Sequence, residues 1–406
     1  MILKPDKDSN LTTSYRPISL LPILGKVMER VMTLRITTFM IDKNILNKYQ
    51  YGFQKGKSCI HQVLRLSEHI SKWLNKKPKG RTISIFIDAE KAFDCSWHNG
   101  LRIMLMNENF PETIIRWISN WLTNRKCRVR INDSLSYQVI LKAGLPQGSL
   151  LSPILYIFLI RNMPSKASED FISSFYADDT SYASSDNSHG KRKKYAGESL
   201  QETLTELESF CAKWRMGLNA NKTKCLLFER GVSNLTKPNI YLKKELLKYE
   251  ENAKFLGIIF DKNLTFEDHI QSIYERSMNR LNLLKAICGK SWGANSETIL
   301  YTYRTFIRPI IEYGSVLFAH ANDNLLKKLQ AIETHAIKLA FDLPPWTTNY
   351  WCYQSINFTP VLERLKSLAK NFIEKNRNDF VLKPFIDENK PSSTGLHSPI
   401  YKALNW

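Results

Sequence analysis

The chain has 406 residues, 43% of them hydrophobic, enough apolar material for a large core divided among several lobes. Its 58 Lys and Arg against 38 Asp and Glu give a formal charge of +20, which favours a polyanionic partner, nucleic acid ahead of an anionic membrane surface. A spanning helix is not expected, because the longest apolar run, Leu150 to Ile160, contains Ser152 and Pro153 and falls short of the roughly 20 residues required. Met1 to Asn10 is polar and carries Pro5, so no secretory signal is expected. The seven cysteines, at 59, 95, 127, 211, 225, 288 and 352, show no zinc-like spacing and read as reduced thiols of an intracellular protein.

Along the chain, the prolines of Tyr15-Arg16-Pro17-Ile18-Ser19-Leu20-Leu21-Pro22 impose extended backbone. A helix is predicted next, with Val27, Met28, Val31, Met32 and Arg35 on one face. A second carries Ile60, Val63, Leu64, Ser67, Ile70, Trp73 and Leu74. Lys4 and Arg16 bracket this lobe within reach of a ligand phosphate, although composition alone makes each a solvated cation. After the polar break Asn75 to Gly80, Thr82 to Asp88 reads as a buried strand with Ile83, Ile85 and Ile87 on one face and Phe86 and Asp88 on the other. A buried carboxylate is costly unless paired or metal-bound, so this strand should end at a cleft. Phe93, five residues on, is by itself an ordinary core aromatic.

A helical stretch from Ile114 to Leu122 precedes an alternation of Cys127, Val129 and Ile131 with Arg128, Arg130 and Asn132. It predicts a hairpin through Asn132-Asp133-Ser134 to Tyr137–Leu141, with one apolar face and one basic face suited to a phosphate backbone or to solubility. Ala143-Gly144-Leu145-Pro146-Gln147-Gly148-Ser149 is a Gly/Pro turn running into the apolar helix Leu150 to Ile160, where backbone can approach a ligand closely. Phe175-Tyr176-Ala177-Asp178-Asp179-Thr180-Ser181-Tyr182 predicts a β-hairpin with two acids at its tip. Isolated Asp-Asp pairs are most often acidic surface turns. With Asp88 ending another strand, the alternative is three acids meeting around a cation.

Four strings in order carry a family resemblance: Tyr-Arg-Pro-Ile-Ser-Leu around Arg16, Asp-Ala-Glu-Lys-Ala-Phe-Asp from Asp88, Gly-Leu-Pro-Gln-Gly-Ser from Gly144, and Tyr-Ala-Asp-Asp from Tyr176. Together they resemble the reverse transcriptase of non-LTR retrotransposons, most closely the jockey type, from about Ile2 to the region around Gly314. The resemblance implies an α+β right-hand polymerase with fingers, an antiparallel-sheet palm and a helical thumb. It divides the chain into 1–81 (fingers), 82–97 (palm), 98–145 (fingers), 146–262 (palm with a primer-grip hairpin), 263–345 (thumb) and 346–406, an extension of undefined role.

By the same resemblance Asp88, Asp178 and Asp179 are the catalytic, metal-binding acids, holding two Mg²⁺ ions with Mn²⁺ as a substitute. Lys4 and Arg16 fall on triphosphate-binding positions, Phe93 on the residue that excludes a 2′-hydroxyl, and Gln147 and Gly148 on the nucleotide and template pocket. Lys222 falls where a lysine protonates leaving pyrophosphate, and Lys254, Phe255, Leu256 and Gly257 fall on the primer grip. The implied partners are an RNA template, a DNA primer or target and dNTPs, with no membrane, in the nucleus, the cytoplasm or both. Ser96 stands where relatives carry an apolar residue, away from the chemistry.

Downstream, Lys191-Arg192-Lys193-Lys194 reads as a solvated insertion or a nuclear signal. Leu200, Leu204, Leu207, Cys211 and Trp214 form a helical stripe. Helices are predicted through Ile270–Leu284, Ile299–Ile307, Leu325–Leu339 and Val361–Lys375, with Arg276, Arg280, Lys285, Arg304 and Arg308 as duplex-binding cations. Two other functions share these features. A decayed or domesticated nucleic-acid-binding derivative keeps the charge but has no need of the acids, and a viral-type RNA polymerase has a polar residue in place of Phe93.

Overall fold

The strand Gly80–Ile87 is buried at every residue and sits in the middle of a five-stranded sheet. Across the sheet the order is Tyr249–Glu250, Lys224–Phe228, Gly80–Ile87, Asp179–Asn187 and Phe171–Tyr176. All neighbours run antiparallel except the edge pair Tyr249–Glu250 and Lys224–Phe228. The computed structural model describes residues 1–4, 8–76, 80–131, 133–187, 195–230, 237–288, 292–354, 356–388 and 398–405. The basic cluster Lys191 to Lys194 lies outside the described residues.

The β-branched and aromatic residues of the central strand suit a sheet covered on both faces. On one face Thr82 Oγ1 meets Ser185 Oγ at 2.8 Å, and His69 of helix Cys59–Leu74 contacts the same Ser185 at 3.0 Å. On the other face Tyr182 lies beside Cys211 of helix Ala196–Trp214, whose buried stripe is the one its periodicity predicts. The hairpin Asn252–Phe255 with Ile258–Asp261 shares the first face, with Phe255 and Phe260 packed on Phe86.

Helix Cys59–Leu74 is enclosed almost all round, including its polar residues. What encloses it includes the far end of the chain. Glu68 accepts a hydrogen bond from the amide of Ile400 at 2.8 Å, and the His61 ring contacts Asn376 at 2.9 Å. Burial pushes the Glu68 carboxyl up to about 7. Residues 356–388 and 398–405, beyond the span of the resemblance, therefore help close the core around the central helix.

Three expectations are corrected. The first helix, Ile23–Asp42, buries Glu29, Met32, Ile36 and Met40, while Val27, Met28 and Val31 are exposed at 58%, 45% and 43%. Its sequence is apolar on two sides, and a polar demand decided which side went in. The Glu29 carboxylate accepts from Ser149 Oγ (2.8 Å), the Leu150 amide (3.0 Å) and Trp121 Nε1 (3.2 Å), satisfying donors that are otherwise buried alone. The strand around Cys127 is broken into Lys126–Cys127 and Arg130–Ile131, paired to Val139–Ile140 and Ser134–Leu135, and Val129 and Ile131 remain exposed. Arg308 is buried between Glu312 (3.3 Å) and Glu333 (3.9 Å), so it braces helices and offers no surface charge to a duplex.

Glu29→Ala should cost about 3 kcal/mol in urea unfolding, because it strands buried donors, whereas Val27→Ser and Val31→Ser should change stability by less than about 0.5 kcal/mol. The opposite ranking would restore the predicted face.

Candidate active site

Sheet register brings the acids together. Thr180 pairs with Ile87 and Lys224 with Phe86. One step further along the first ladder, Asp88 falls opposite Asp179. Two steps further along the second it falls opposite Lys222, whose Nζ lies 3.9 Å from Asp88 Oδ2. Tyr176 and Asp179 pair across a turn made of Ala177 and Asp178, the predicted acidic hairpin. Ala177 adopts φ 56°, a left-handed conformation that costs a non-glycine residue about 1–2 kcal/mol. Its amide is held by Gln50 Oε1 at 2.9 Å, and the same oxygen takes the Gly52 amide at 2.7 Å. A Cβ on Gly52 would come within 2.4 Å of the Ala177 nitrogen, so only glycine admits this approach.

At the end of the central strand lies a cleft of about 750 Å³ whose lining includes Asp88, Asp178, Lys4, Arg16, Phe93, Gln147, Gly148 and Lys222. Lys4 and Arg16 arrive on a two-stranded ladder, Ile2–Leu3 with Tyr15–Arg16. The Phe93 ring stacks on buried Tyr156, centroids 4.7 Å apart and planes at 24°. The 144–149 loop is tied to the Phe93 turn by Leu145 N to Phe93 O (2.8 Å) and Gly144 N to Ser96 O (2.9 Å). Gln147 Nε2 donates to Asp94 Oδ1 at 3.0 Å. Gly148, at φ 111°, sits so close to Ser19 O that a Cβ there would be 2.9 Å away.

Asp179 is not among the cleft residues, and its carboxyl is pushed up to about 6 by loss of water around the turn and then by the charges of Asp178 and Asp88. Asp88 is also raised, first by burial, with Lys222 opposing and Asp178 and Glu90 adding. Among the described residues no group of three or more His, Cys, Asp or Glu is close enough to form a ready-made metal cage. The donor chemistry nevertheless fits a hard divalent cation: the cleft offers carboxylate oxygens, no thiol and no imidazole, and mutual repulsion that a cation relieves.

The hairpin Lys254, Phe255, Leu256 and Gly257 stands outside the cleft lining. Phe255 is only 3% exposed and belongs to the core, whereas Lys254 is exposed. The tip, with Leu256 and Gly257 at φ 47° and 84°, is held by Tyr313, whose hydroxyl donates to Leu256 O at 2.6 Å. Burial raises the Tyr313 phenol, and Cys59, Tyr176 and Asp179 add to the effect, which sets the tip beside the acidic turn. Sequence reasoning missed Gln50, Glu29, Cys59, Tyr156 and Tyr313. Each acts through a partner distant in sequence; only Gln-Tyr-Gly-Phe at 50–53, with its glycine, carried a local signal.

The family model described as "Reverse transcriptase (RNA-dependent DNA polymerase)" matches residues 2–260, and the chain belongs to that family. Its mixed helix-and-sheet architecture fits a polymerase fold. Among curated proteins it is 30% identical over 384 residues to the "Probable RNA-directed DNA polymerase from transposon BS" of Drosophila melanogaster, covering 93% of this chain and 42% of that protein. It is 27% identical to the corresponding X-element protein of Drosophila melanogaster (93% and 41% covered) and 26% identical to the "RNA-directed DNA polymerase from mobile element jockey" of Drosophila funebris (92% and 41%). The resemblance to jockey-type elements is thereby borne out. The chain spans about two fifths of the length of these relatives.

The Asp179 carboxyl sits near 6 in the fold against an ordinary 3.8, so its charged form is disfavoured by folding. That penalty is absent below about pH 4, grows as pH rises and is complete above about pH 6. Without divalent cation, Asp179→Asn should melt at a higher temperature than the parent chain above about pH 7 and at the same temperature near pH 4. Equal melting at both pH values would contradict the penalty on a charged Asp179, set first by burial and then by Asp178 and Asp88.

Proposed function

We propose that the chain is the polymerase portion of a reverse transcriptase, extending the 3′-hydroxyl of a DNA primer or target with dNTPs on an RNA template. The observation that carries this reading is the single cleft shared by Asp88, Asp178, Arg16, Lys4, Phe93 and Gln147. In right-hand terms, residues 1–81 and 98–145 are fingers, 82–97 and 146–262 palm, 263–345 thumb, and 346–406 an extension. No helix among the described residues is long and apolar enough to cross a membrane, and the substrates place the work in the nucleus, the cytoplasm or both.

Asp88, Asp178 and Asp179 would hold Mg²⁺, or Mn²⁺ in its place, which would supply Lewis-acid polarisation of the primer hydroxyl and positive charge for the leaving pyrophosphate. The other roles fall to side chains. The Arg16 guanidinium offers paired donors to the triphosphate and Lys4 adds charge. Phe93, backed by Tyr156, fills the space a 2′-hydroxyl needs. Gln147, its amide nitrogen engaged by Asp94, accepts from a base or sugar through Oε1, and Gly148 admits close backbone approach. Lys222 Nζ, beside Asp88, carries a proton for the departing pyrophosphate. At the hairpin tip, Lys254 faces the primer backbone, and Leu256 and Gly257 shape the primer grip.

The purified chain should extend a DNA primer on poly-rA with dTTP and Mg²⁺, and Asp178→Ala should lower the rate at least about 10³-fold. Equal extension by the two proteins would move the reading to a binding derivative. Phe93→Ala should raise ribonucleotide use relative to deoxynucleotide use about tenfold or more. Unchanged sugar selectivity would remove Phe93 from that role.

A further inference from the structure

One half-buried carboxylate far outside the family-matched residues 2–260 is wired to the acidic turn. Asp379, in the loop after helix Val361–Lys375, accepts the Tyr51 hydroxyl on both oxygens at 2.9 and 3.0 Å. Tyr51 is fully buried, and its amide donates to Phe175 O at 2.9 Å, in the strand that leads into the turn. Its neighbour Gln50 forms a parallel bridge with Phe175 and holds the Ala177 amide at 2.9 Å. Tyr51 is thus the anchor of the segment that keeps Ala177 in its strained conformation.

A second contact from the central helix holds the same strand. Arg65, 4% exposed, donates to Ser173 O of that strand at 2.5 Å and stacks over Tyr49, with its guanidinium centre 4.7 Å from the ring centroid. Burial lowers the Arg65 guanidinium to about 10, and the charges that oppose this include that of Asp379. Asp379 Oδ2 lies 3.9 Å from His61 Nε2 of the same helix. Asp379 is itself fixed by the amides of Val381 (3.0 Å) and Leu382 (3.3 Å), which aim it at Tyr51.

We propose that Asp379 is a positioning residue for the acidic turn, acting through Tyr51 and Gln50 on Ala177. The 346–406 extension is then a working part of the catalytic centre rather than an appendage. The inference rests on the polymerase reading above for its catalytic meaning. Its geometry reaches the metal-binding acids whether or not turnover occurs.

The test compares the full-length parent chain with Asp379→Asn, which removes the charge at nearly constant shape, with Tyr51→Phe, which removes only the hydroxyl, and with their double variant. Glu68→Ala, which loosens the same C-terminal region at Ile400 without touching Tyr51, is the control. Two readouts are needed: kcat and KM for dTTP on poly-rA, and Mn²⁺ affinity by electron paramagnetic resonance. Asp379→Asn and Tyr51→Phe should each lower kcat about tenfold with KM within about twofold, and the double variant should lose little more than either single one. Both should weaken Mn²⁺ binding several-fold, while Glu68→Ala lowers the melting temperature with kcat and Mn²⁺ affinity near parent values. If Asp379→Asn fails to fold, Tyr51→Phe alone decides. The proposal is overturned if these variants only lower the melting temperature, as Glu68→Ala does. If the parent chain shows no extension, the polymerase reading fails separately and the Mn²⁺ affinities still decide the positioning role.

Discussion

Like-charge repulsion at the end of a buried sheet is the constraint on which the rest of this structure depends. Asp88, Asp178 and Asp179 are brought together by strand register, and Lys222, 3.9 Å from Asp88, is placed to offset them. Left to itself, such an arrangement spreads apart or takes up protons; Asp179 and Asp88 are both held above the ordinary carboxylate range. The fold resists spreading by fixing the backbone from several directions. Gln50 holds the amide of the strained Ala177, the Tyr313 hydroxyl pins the neighbouring 252–261 hairpin at Leu256 O, and Thr223 Oγ1 accepts from the Asp88 amide at 3.3 Å. Strain and repulsion of this kind persist only where the surroundings over-determine them, and they favour a cation when one is present.

The same logic explains the polar core. Helix Cys59–Leu74 is buried on nearly every side, yet it carries Arg65, Glu68 and His69. Each is answered by a distant partner: Ser173 O and the charge of Asp379 for Arg65, Ile400 for Glu68, Ser185 for His69. Burial drives His69 down to about 3, so it is neutral at any physiological pH and serves as a hydrogen-bonding spacer between helix and sheet. Glu29 does comparable work for the 144–150 loop. The scaffold around the acids is thus held by hydrogen bonds between segments tens to hundreds of residues apart.

Short-range pattern made the acids and the Gly/Pro loop legible. The strand ending at Asp88, the hairpin at Asp178 and the apolar helix after Ser149 all emerged where alternation and turn residues predict them. Physical reasons account for the rest. The first helix is apolar on both sides, so periodicity cannot tell which one meets the core until Glu29 finds Ser149. Arg308 reads as a surface cation because Glu333 reaches it only once the helices pack, while Glu312, one helical turn on, is an ordinary local pair in sequence. Gln50, Tyr51 and Asp379 have no shared local pattern; Gln50 meets the strand Phe171–Tyr176 and Asp379 meets Tyr51 only once distant segments have packed.

Anomalous scattering from Mn²⁺ in crystals of the chain grown with a deoxynucleoside triphosphate tests the central claim most directly. The account predicts metal peaks at the carboxylates of Asp88 and Asp178, with the triphosphate reaching toward Arg16 and Lys4. Metal peaks confined to other acids, or a triphosphate bound away from this cleft, would contradict it.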